Sequence, residues 1–373
     1  MSSIMYDYIR ETPGTLRRII DGRSQICSEF VSLLRDKTID QIYILGSGTS
    51  YHAGVSAKPL IEEVMGCRVT PMYPTQFSRD ERFYGENALV VGVSQGGQSL
   101  STVEGLDAAN AGGIITTALS ANPAALVFEH SAAKTMLEVG NERCGAKTKG
   151  YGGSILTLML MFAELAEAKG LLTDKGSADY LRRIEAVIEN MVPVIDAADA
   201  WYKRIGDEFE AAKRIMVVGY EGLYGDVLEG ALKILETVRQ GVTGYDIEEF
   251  FHGIYNSVNE DSYLFFLAPA SDYKQRTLKL IEILGEWTSH NYLIAAPDGQ
   301  VPPDNRYCLA PFLDDPLFSC LEYILPLQVI ACKASMRLGI DPSIPKDPLF
   351  HARIGSKKVN GAMDRFGTGV PEA

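Results

Sequence analysis

The sequence predicts an α/β protein with two tandem doubly wound parallel-sheet domains, each a three-layer αβα arrangement, with further helices flanking and linking them. Strand-like apolar runs, small-residue turns and helical stretches alternate along the chain, as in βαβ units. The segment 214–222 (RIMVVGYEG) repeats the pattern of 41–49 (QIYILGSGT). The length of 373 residues also exceeds one domain, at roughly 150 residues each. We therefore expect domains at 1–200 and 201–373.

The first copy is predicted from successive strand, turn and helix patterns. Its apolar runs end at glycine or serine, and apolar side chains at helical spacing follow two of them. The predicted strands are 42–45, 88–93 and 113–119, with a further strand at 134–137, and the predicted helices are 53–65 and 100–111.

A helical region separates the two copies. An apolar helix is predicted at about 151–168, and an amphipathic linking helix at about 178–212. We expect Pro193 to interrupt the linking helix, because proline lacks the N–H that a helix interior needs. Strands resume at 214–219, 263–267 and 291–296, and these form the second copy.

The composition excludes several classes of function. Asp and Glu number 48 against 35 Lys and Arg, for a net charge of −13, and 46% of residues are hydrophobic. Disordered chains have fewer apolar residues, and nucleic-acid binders carry surplus cations. Apolar runs such as 155–163 are shorter than the roughly 20 residues of a membrane span. The N-terminus has no signal-peptide pattern, so we expect a cytoplasmic protein with neither nucleic-acid nor membrane partners.

The cysteines and histidines do not suggest a metal site. Six cysteines and five histidines are scattered, without a CxxC pair or the spacing of metal ligands. Dispersed cysteines in a chain of this size are typical of buried thiols in a reducing compartment. We expect no metal and no cofactor.

Two turns of the first copy are candidate anion sites. The turns 46–50 (GSGTS) and 94–99 (SQGGQS) each follow a strand and open a helix. Glycine lets a ligand approach the backbone, hydroxyls donate hydrogen bonds, and a helix N-terminus offers free N–H groups. Neither turn has a nucleotide-binding signature. The alternative is that the Ser and Thr side chains are helix N-caps, which is less convincing for two neighbouring turns than for one.

The second copy contains candidate proton-transfer groups. Glu229, Lys233 and Glu236 share one helix face, and His252 follows within 249–253 (EFFHG). A glutamate and a histidine in one pocket can move protons on a sugar. The alternatives are a solvated charged face and an ordinary packed histidine, and the spacing alone does not decide between them.

Taken together, these motifs resemble the sugar isomerase (SIS) superfamily. The likeness rests on 46–52 (GSGTSYH), 94–99, 228–233 (LEGALK) and 251–253 (FHG), and it extends from about residue 11 to the C-terminus. It is greatest to the isomerase half of glutamine–fructose-6-phosphate amidotransferase and its glutaminase-lacking relatives. Those relatives include deglycases of phosphorylated fructosyl or glucosyl amino acids and amino-sugar-phosphate deaminases.

The resemblance implies that both turns hold the phosphate of a sugar phosphate. The implied ligands are Ser47, Gly48, Thr49, Ser50, Ser94, Gln95 and Ser99. Gly96 stands where the family usually has a serine, so a main-chain N–H replaces a hydroxyl there. Lys147 stands where the amidotransferases have a serine near the sugar, and it adds an ammonium for a phosphate or a substrate carboxylate.

The resemblance also assigns catalytic roles. Glu236 corresponds to the general base, and Glu229 and Lys233 to positions that line the site. His252 corresponds to the residue that opens the sugar ring, delivered from a neighbouring subunit, which implies a homodimer or higher oligomer. Arg353 loosely matches a tail lysine that engages the carbonyl, and without such a lysine a Schiff-base route to ring opening would be in doubt.

We therefore expect a phosphosugar enzyme, in the first place a deglycase of a 6-phosphorylated fructosyl or glucosyl amino acid. The alternative enzyme is a glucosamine-6-phosphate-type deaminase or isomerase, and a minor alternative is a phosphosugar sensor without catalysis. The chain enters the isomerase pattern at once, without the cysteine-nucleophile domain of the amidotransferases. We thus expect that it does not draw ammonia from glutamine.

Overall fold

The computed structural model describes residues 3–81, 84–358 and 365–366. The chain divides into two compact units, each with one five-stranded sheet. We name them by their sheets: the N-sheet unit comprises Gly14–Arg182 and Ile344–Ala373, and the C-sheet unit comprises Met1–Pro13 and Arg183–Ser343.

The sheet of the N-sheet unit is entirely parallel. Its strands are β1 (Gln41–Leu45), β2 (Arg68–Met72), β3 (Ala88–Val93), β4 (Ile115–Ser120) and β5 (Ala133–Met136). Their order is β2-β1-β3-β4-β5. In this doubly wound order β2 is added on one side of β1, and β3, β4 and β5 are added on the other, so the strand order switches between β1 and β3. Ligands bind outside the carboxyl ends of the strands at such a switch point.

The C-sheet unit repeats this topology. Its strands are β6 (Arg214–Gly219), β7 (Gly241–Asp246), β8 (Ser262–Leu267), β9 (Asn291–Ala295) and β10 (Tyr307–Leu309). Their order is β10-β9-β8-β6-β7, again all parallel. Read from the β7 edge, this is the order of the first sheet. The prediction of two copies of one α/β unit is confirmed.

Helices connect the strands in both units. They are α1 (Ile4–Asp21), α2 (Arg23–Ile26), α3 (Ser28–Leu34), α4 (Thr49–Met65), α5 (Pro74–Arg79), α6 (Leu100–Ala111), α7 (Leu126–Glu129), α8 (Lys149–Ala168), α9 (Asp174–Phe209), α10 (Tyr224–Val238), α11 (Ile247–Phe251), α12 (Tyr273–Leu284), α13 (Cys320–Arg337) and α14 (Phe350–Ile354).

Helices cover both faces of the first sheet. Successive strand residues point to opposite faces, and a Cβ on Gly54 of α4 would lie 2.9 Å from Ile44, whereas one on Gly105 of α6 would lie 2.8 Å from Leu45. The two helices therefore pack on opposite sides of β1, with little space for larger side chains at these glycines.

The second sheet is covered in the same way. Phe265 points toward α9, where the ring centroids of Trp201 and Phe209 lie 6.2 and 5.3 Å from its own. Phe266 points to the other face and meets Phe250 of α11 at 6.4 Å. Both units thus have the three-layer arrangement that the sequence predicts.

The structure also contains elements that the sequence analysis missed. The strands β2, β7 and β10 are absent from the prediction, and all three lie at sheet edges. Edge strands are only partly buried, so they lack the continuous apolar run of a central strand.

The expected break at Pro193 is wrong. Helix α9 continues through this proline. The following residues Val194 and Ile195 are fully buried, and tertiary packing of this kind outweighs the loss of one helical hydrogen bond.

Candidate functional site

The turn after β1 brings the backbone unusually close to the start of its helix. Gly48 has φ 55° and ψ −129°, a conformation that residues with a Cβ rarely adopt. A Cβ on Gly46 would lie 2.8 Å from the main-chain carbonyl carbon of Ser50. The N-cap position of α4 is occupied by Gly48, which has no side chain to cap the helix, so the N-cap alternative does not hold at this turn.

The turn after β3 is held by the loop that follows β4. Gly97 has φ 74°, and a Cβ there would lie 2.2 Å from that of Ala125, so only glycine fits. The side-chain amide of Asn122 donates to the carbonyl oxygen of Gly96 at 3.3 Å. These contacts fix the path of the second turn.

Ser99 behaves as the N-cap alternative predicts. Its hydroxyl oxygen accepts a hydrogen bond from the main-chain N–H of Thr102 at 3.4 Å and from the Thr102 hydroxyl at 3.0 Å. This side chain therefore stabilises the start of α6.

Both turns present polar groups that no described part of the chain satisfies. Since β1 and β3 are parallel, hydrogen-bonded neighbours, the turns that follow them lie side by side at the carboxyl ends of the strands. Within the described residues, seven main-chain N–H groups of the turns have no acceptor, those of Ser47, Gly48, Ser50, Gln95, Gly96, Gln98 and Ser99. Three turn hydroxyls have no partner among the same residues, those of Ser47, Ser50 and Ser94. Such a concentration of donors at helix N-termini favours an anion.

Glu142 is a buried carboxylate next to these turns that the sequence analysis missed. It is 4% exposed. Its Oε1 accepts from the main-chain N–H and hydroxyl of Thr148 at 2.7 and 3.0 Å. Its Oε2 accepts from the side-chain amide of Gln95 at 2.8 Å and the main-chain N–H of Gly150 at 3.1 Å. The only signal in the sequence is one acidic residue shortly before an apolar helix.

Two predicted ligands make contacts with Glu142. The Gln95 amide donates to its carboxylate, as above, and the Lys147 ammonium donates to its main-chain carbonyl oxygen at 2.7 Å. Lys147 is half-buried. Both residues are therefore connected to one loop, which adjoins the second turn.

The C-terminal segment pairs with the second turn. The main-chain N–H of Lys358 donates to the carbonyl oxygen of Gln98 at 3.0 Å, and that of Leu100 donates to Ser356 at 3.1 Å. Lys357 is thereby placed opposite Ser99 in an antiparallel bridge.

Arg353 lies away from this pairing. Its side chain is 74% exposed, with Nη1 2.6 Å from Asp347 Oδ2. The structure thus brings Lys357, rather than Arg353, beside the turn.

The charged face of α10 in the C-sheet unit is largely buried. Lys233 Nζ lies 3.3 Å from Glu229 Oε1 and 2.7 Å from Glu236 Oε2. Lys233 is 1% exposed and Glu229 is fully buried, whereas 35% of the Glu236 side chain is exposed. Burial acts to lower the pKa of Lys233, but the two carboxylates outweigh it and raise that pKa. The face is therefore an internal ion-pair cluster with one accessible carboxylate, and the solvated-face alternative does not hold.

His252 lies at the end of α11 and projects into solvent. Its side chain is 77% exposed, and Nε2 lies 3.9 Å from Glu248 Oε2. The alternative of an ordinary packed histidine therefore does not hold. Exposure leaves the ring accessible to another molecule.

Neither a metal cluster nor a membrane-spanning helix is found in the described part of the chain. No group of three or more His, Cys, Asp or Glu side chains there has the arrangement of a metal site. Across residues 3–81, 84–358 and 365–366, no helix is long and apolar enough to cross a bilayer.

Comparisons with known proteins agree with the fold. The sequence profile of the SIS domain matches residues 34–164. A solved structure described as a candidate phosphosugar isomerase from Clostridium difficile 630 is 36% identical, with a TM-score of 0.88 over 96% of this chain and 100% of that one. One described as a candidate sugar binding protein from Salmonella typhimurium LT2 is 32% identical, with a TM-score of 0.79 over 88% of this chain and 99% of that one.

A curated relative extends the comparison to the amidotransferases. Glutamine–fructose-6-phosphate aminotransferase (isomerizing) of Gloeobacter violaceus is 25% identical over 353 residues, which is 92% of this chain and 57% of that protein. The chain spans little more than half the length of such relatives.

The doubly wound sheets and the donor-rich turns define an α/β protein with a candidate anion site. The chain belongs to the SIS domain family, as its motifs predicted. The names of its relatives support an enzymatic role in phosphosugar processing. The individual roles of Glu236, His252 and the turn residues stay predictions.

Proposed function

We propose that the protein hydrolyses a 6-phosphorylated fructosyl or glucosyl amino acid to a sugar 6-phosphate and a free amino acid. The observation that carries the phosphosugar part is the set of N–H and hydroxyl donors on the two turns of the N-sheet unit, which have no acceptor among the described residues. The SIS-family relatives, one named as a phosphosugar isomerase, support the same class of ligand. Lys147, linked to the second turn through Glu142, supplies a positive charge for a substrate carboxylate.

The proposed chemistry on a fructosyl substrate is an aldose–ketose proton transfer followed by hydrolysis. Glu236 removes a proton from C1 of the open-chain ketosamine and returns it to C2. The C2 ketone becomes an alcohol, and C1 and the nitrogen become joined by an imine double bond, with the N–H proton lost as the oxygen gains one. Water then adds to C1 and breaks the C–N bond, which releases the amino acid and an aldose 6-phosphate.

Lys233 and His252 have supporting roles in this proposal. The ion pair at 2.7 Å stabilises the ionised form of Glu236, which is the form that accepts a proton. His252 transfers a proton during ring opening. Because His252 is exposed on its own chain, we propose that it acts in the site of a second copy, within a homodimer or larger homo-oligomer.

A substrate panel tests the proposal directly. Phosphorylated fructosyl-lysine should yield lysine and a sugar 6-phosphate in equal amounts, and its unphosphorylated form should not react. Release of ammonia from glucosamine 6-phosphate instead would identify a deaminase. Tight binding of phosphosugars without any turnover would identify a sugar-binding protein, as the name of the Salmonella relative suggests.

The role of Glu236 has a separate test. Glu236→Gln should reduce kcat by at least about 100-fold, because the general base is lost, while phosphosugar affinity stays within a few-fold of the unmodified protein. Glu282→Gln, an exposed glutamate of α12, is the matched control and should keep full activity. Turnover by Glu236→Gln at the normal rate would remove Glu236 from this role.

A further inference from the structure

We propose that Glu142 is a positioning residue that holds the second turn in the conformation that binds phosphate. This inference rests on the phosphate site of the proposed function. It adds a residue that does not itself contact the ligand but fixes the groups that do.

The contacts of Glu142 join two elements. One oxygen of its carboxylate accepts two hydrogen bonds from Thr148, and the other accepts one from Gly150 and one from Gln95. The first three bonds connect it to the N-terminus of the 20-residue helix α8. The fourth connects it to the turn after β3.

The groups that face the Glu142 carboxylate are hydrogen-bond donors. A helix N-terminus carries unsatisfied N–H groups and a positive partial charge. Four hydrogen bonds to one buried carboxylate are charge-assisted and therefore strong. A neutral replacement would lose this attraction, and an amide NH₂ group would confront the N–H donors of Thr148 and Gly150.

Gly150 shows how tightly the turn is held against α8. A Cβ at this position would lie 2.2 Å from Oε1 of Gln95 and 2.4 Å from its Nε2. The Gln95 side chain therefore lies directly over the start of the helix, and its amide donates to Glu142 there. In this arrangement the main-chain N–H groups of Gln95 and Gly96 supply the phosphate contacts, and the Gln95 side chain anchors the turn.

The same residue also holds Lys147. The lysine ammonium donates to the main-chain oxygen of Glu142 at 2.7 Å. The carboxylate thus holds the turn and the main-chain oxygen holds the cation, so one loop sets the positions of both.

The test measures binding of inorganic phosphate to the full chain by calorimetry, with amide hydrogen exchange of the peptide 94–100 recorded on the same samples. Glu142→Gln should weaken phosphate binding by about tenfold or more, since charge-assisted hydrogen bonds are lost, and should speed exchange in 94–100. Glu138→Gln is the matched control, because Glu138 is exposed four residues earlier. It should change neither quantity.

Further variants separate positioning from folding. Should Glu142→Gln not fold, Gln95→Leu removes only the link to the turn and should show the same loss of affinity and faster exchange. Glu142→Asp keeps the charge and should give an intermediate affinity. A lower melting temperature with unchanged phosphate affinity and unchanged exchange in 94–100 would overturn the inference. Failure of the unmodified protein to bind phosphate would instead overturn the phosphate site of the proposed function, and this inference with it.

Discussion

At the scale of single residues, Lys233 is a buried cation whose two carboxylate partners lie on its own helix. Replacing it by methionine would remove the positive charge that lies 3.3 Å from the buried Glu229 carboxylate. Breaking a buried ion pair from one side typically costs about 3–5 kcal/mol. We therefore expect Lys233→Met to lower the free energy of unfolding by about that amount, measured by urea denaturation at pH 7.

The control for Lys233 is an exposed pair of similar spacing. Lys279 and Glu282 lie three residues apart on α12, 2.8 Å from each other and largely in solvent. Lys279→Met should cost less than about 1 kcal/mol. Equal losses from the two substitutions would show that burial does not strengthen the α10 cluster.

Residue types and their order predicted some contacts better than others. The tight turns could be expected from their glycines. The structure shows positive φ values at Gly48 and Gly97, a conformation that favours glycine. Glu142 could not be expected, since its importance depends on Gln95, far away in the chain. Arg353 was a candidate through a loose match, but its partner in the structure is Asp347.

At the scale of elements, the first turn of α13 contains a buried acid. Burial raises the pKa of Glu322 to about 7, with Asp314 and Asp315 adding to the shift and hydrogen bonds from Asn190 and the Leu313 N–H opposing it. A raised pKa favours the protonated form in the folded state. The resulting stability is complete below about pH 4.5, the ordinary pKa, and is lost as the pH rises through about 7.

The pH dependence of protein stability can be tested by replacing Glu322. Glu322→Gln stays neutral at every pH, so its stability relative to the unmodified protein should increase by roughly 2–3 kcal/mol between pH 5 and pH 8. Chemical denaturation at each pH measures the difference. A difference for Glu322→Gln that stays constant between pH 5 and pH 8 would contradict the raised pKa.

The elements themselves were predictable in proportion to their burial. The central strands β1, β3, β6 and β8 form apolar runs that are buried along nearly their whole length, and their positions follow from sequence. Edge strands such as β7 are stabilised mainly by main-chain pairing to a neighbour, which leaves little trace in the side chains. Likewise, the continuation of α9 through Pro193 depends on tertiary packing, which a local sequence pattern does not contain.

At the scale of the whole molecule, the net charge of −13 opposes the approach of an anionic sugar phosphate. The donors of the two turns are mainly neutral N–H and hydroxyl groups, whose attraction acts only at short range. The field of the surplus carboxylates reaches the ligand from about 30 Å at 0.01 M salt, whereas at 0.1 M salt it is screened beyond about 10 Å. The whole-molecule charge should therefore slow association without weakening the contacts made once the phosphate is bound.

This difference in range between the net charge and the turn donors predicts that the association rate of a phosphosugar rises with salt. Raising the ionic strength from about 0.01 to 0.1 M should increase the association rate of a phosphosugar about twofold, because screening shortens the reach of the repulsion. Stopped-flow fluorescence can measure this rate, and the unphosphorylated sugar serves as the control whose rate should not change. If the rate falls as salt is added, local cations such as Lys147 and Lys357 attract the ligand from a distance. The electrostatic guidance of the substrate would then come from the site rather than from the charge of the molecule as a whole.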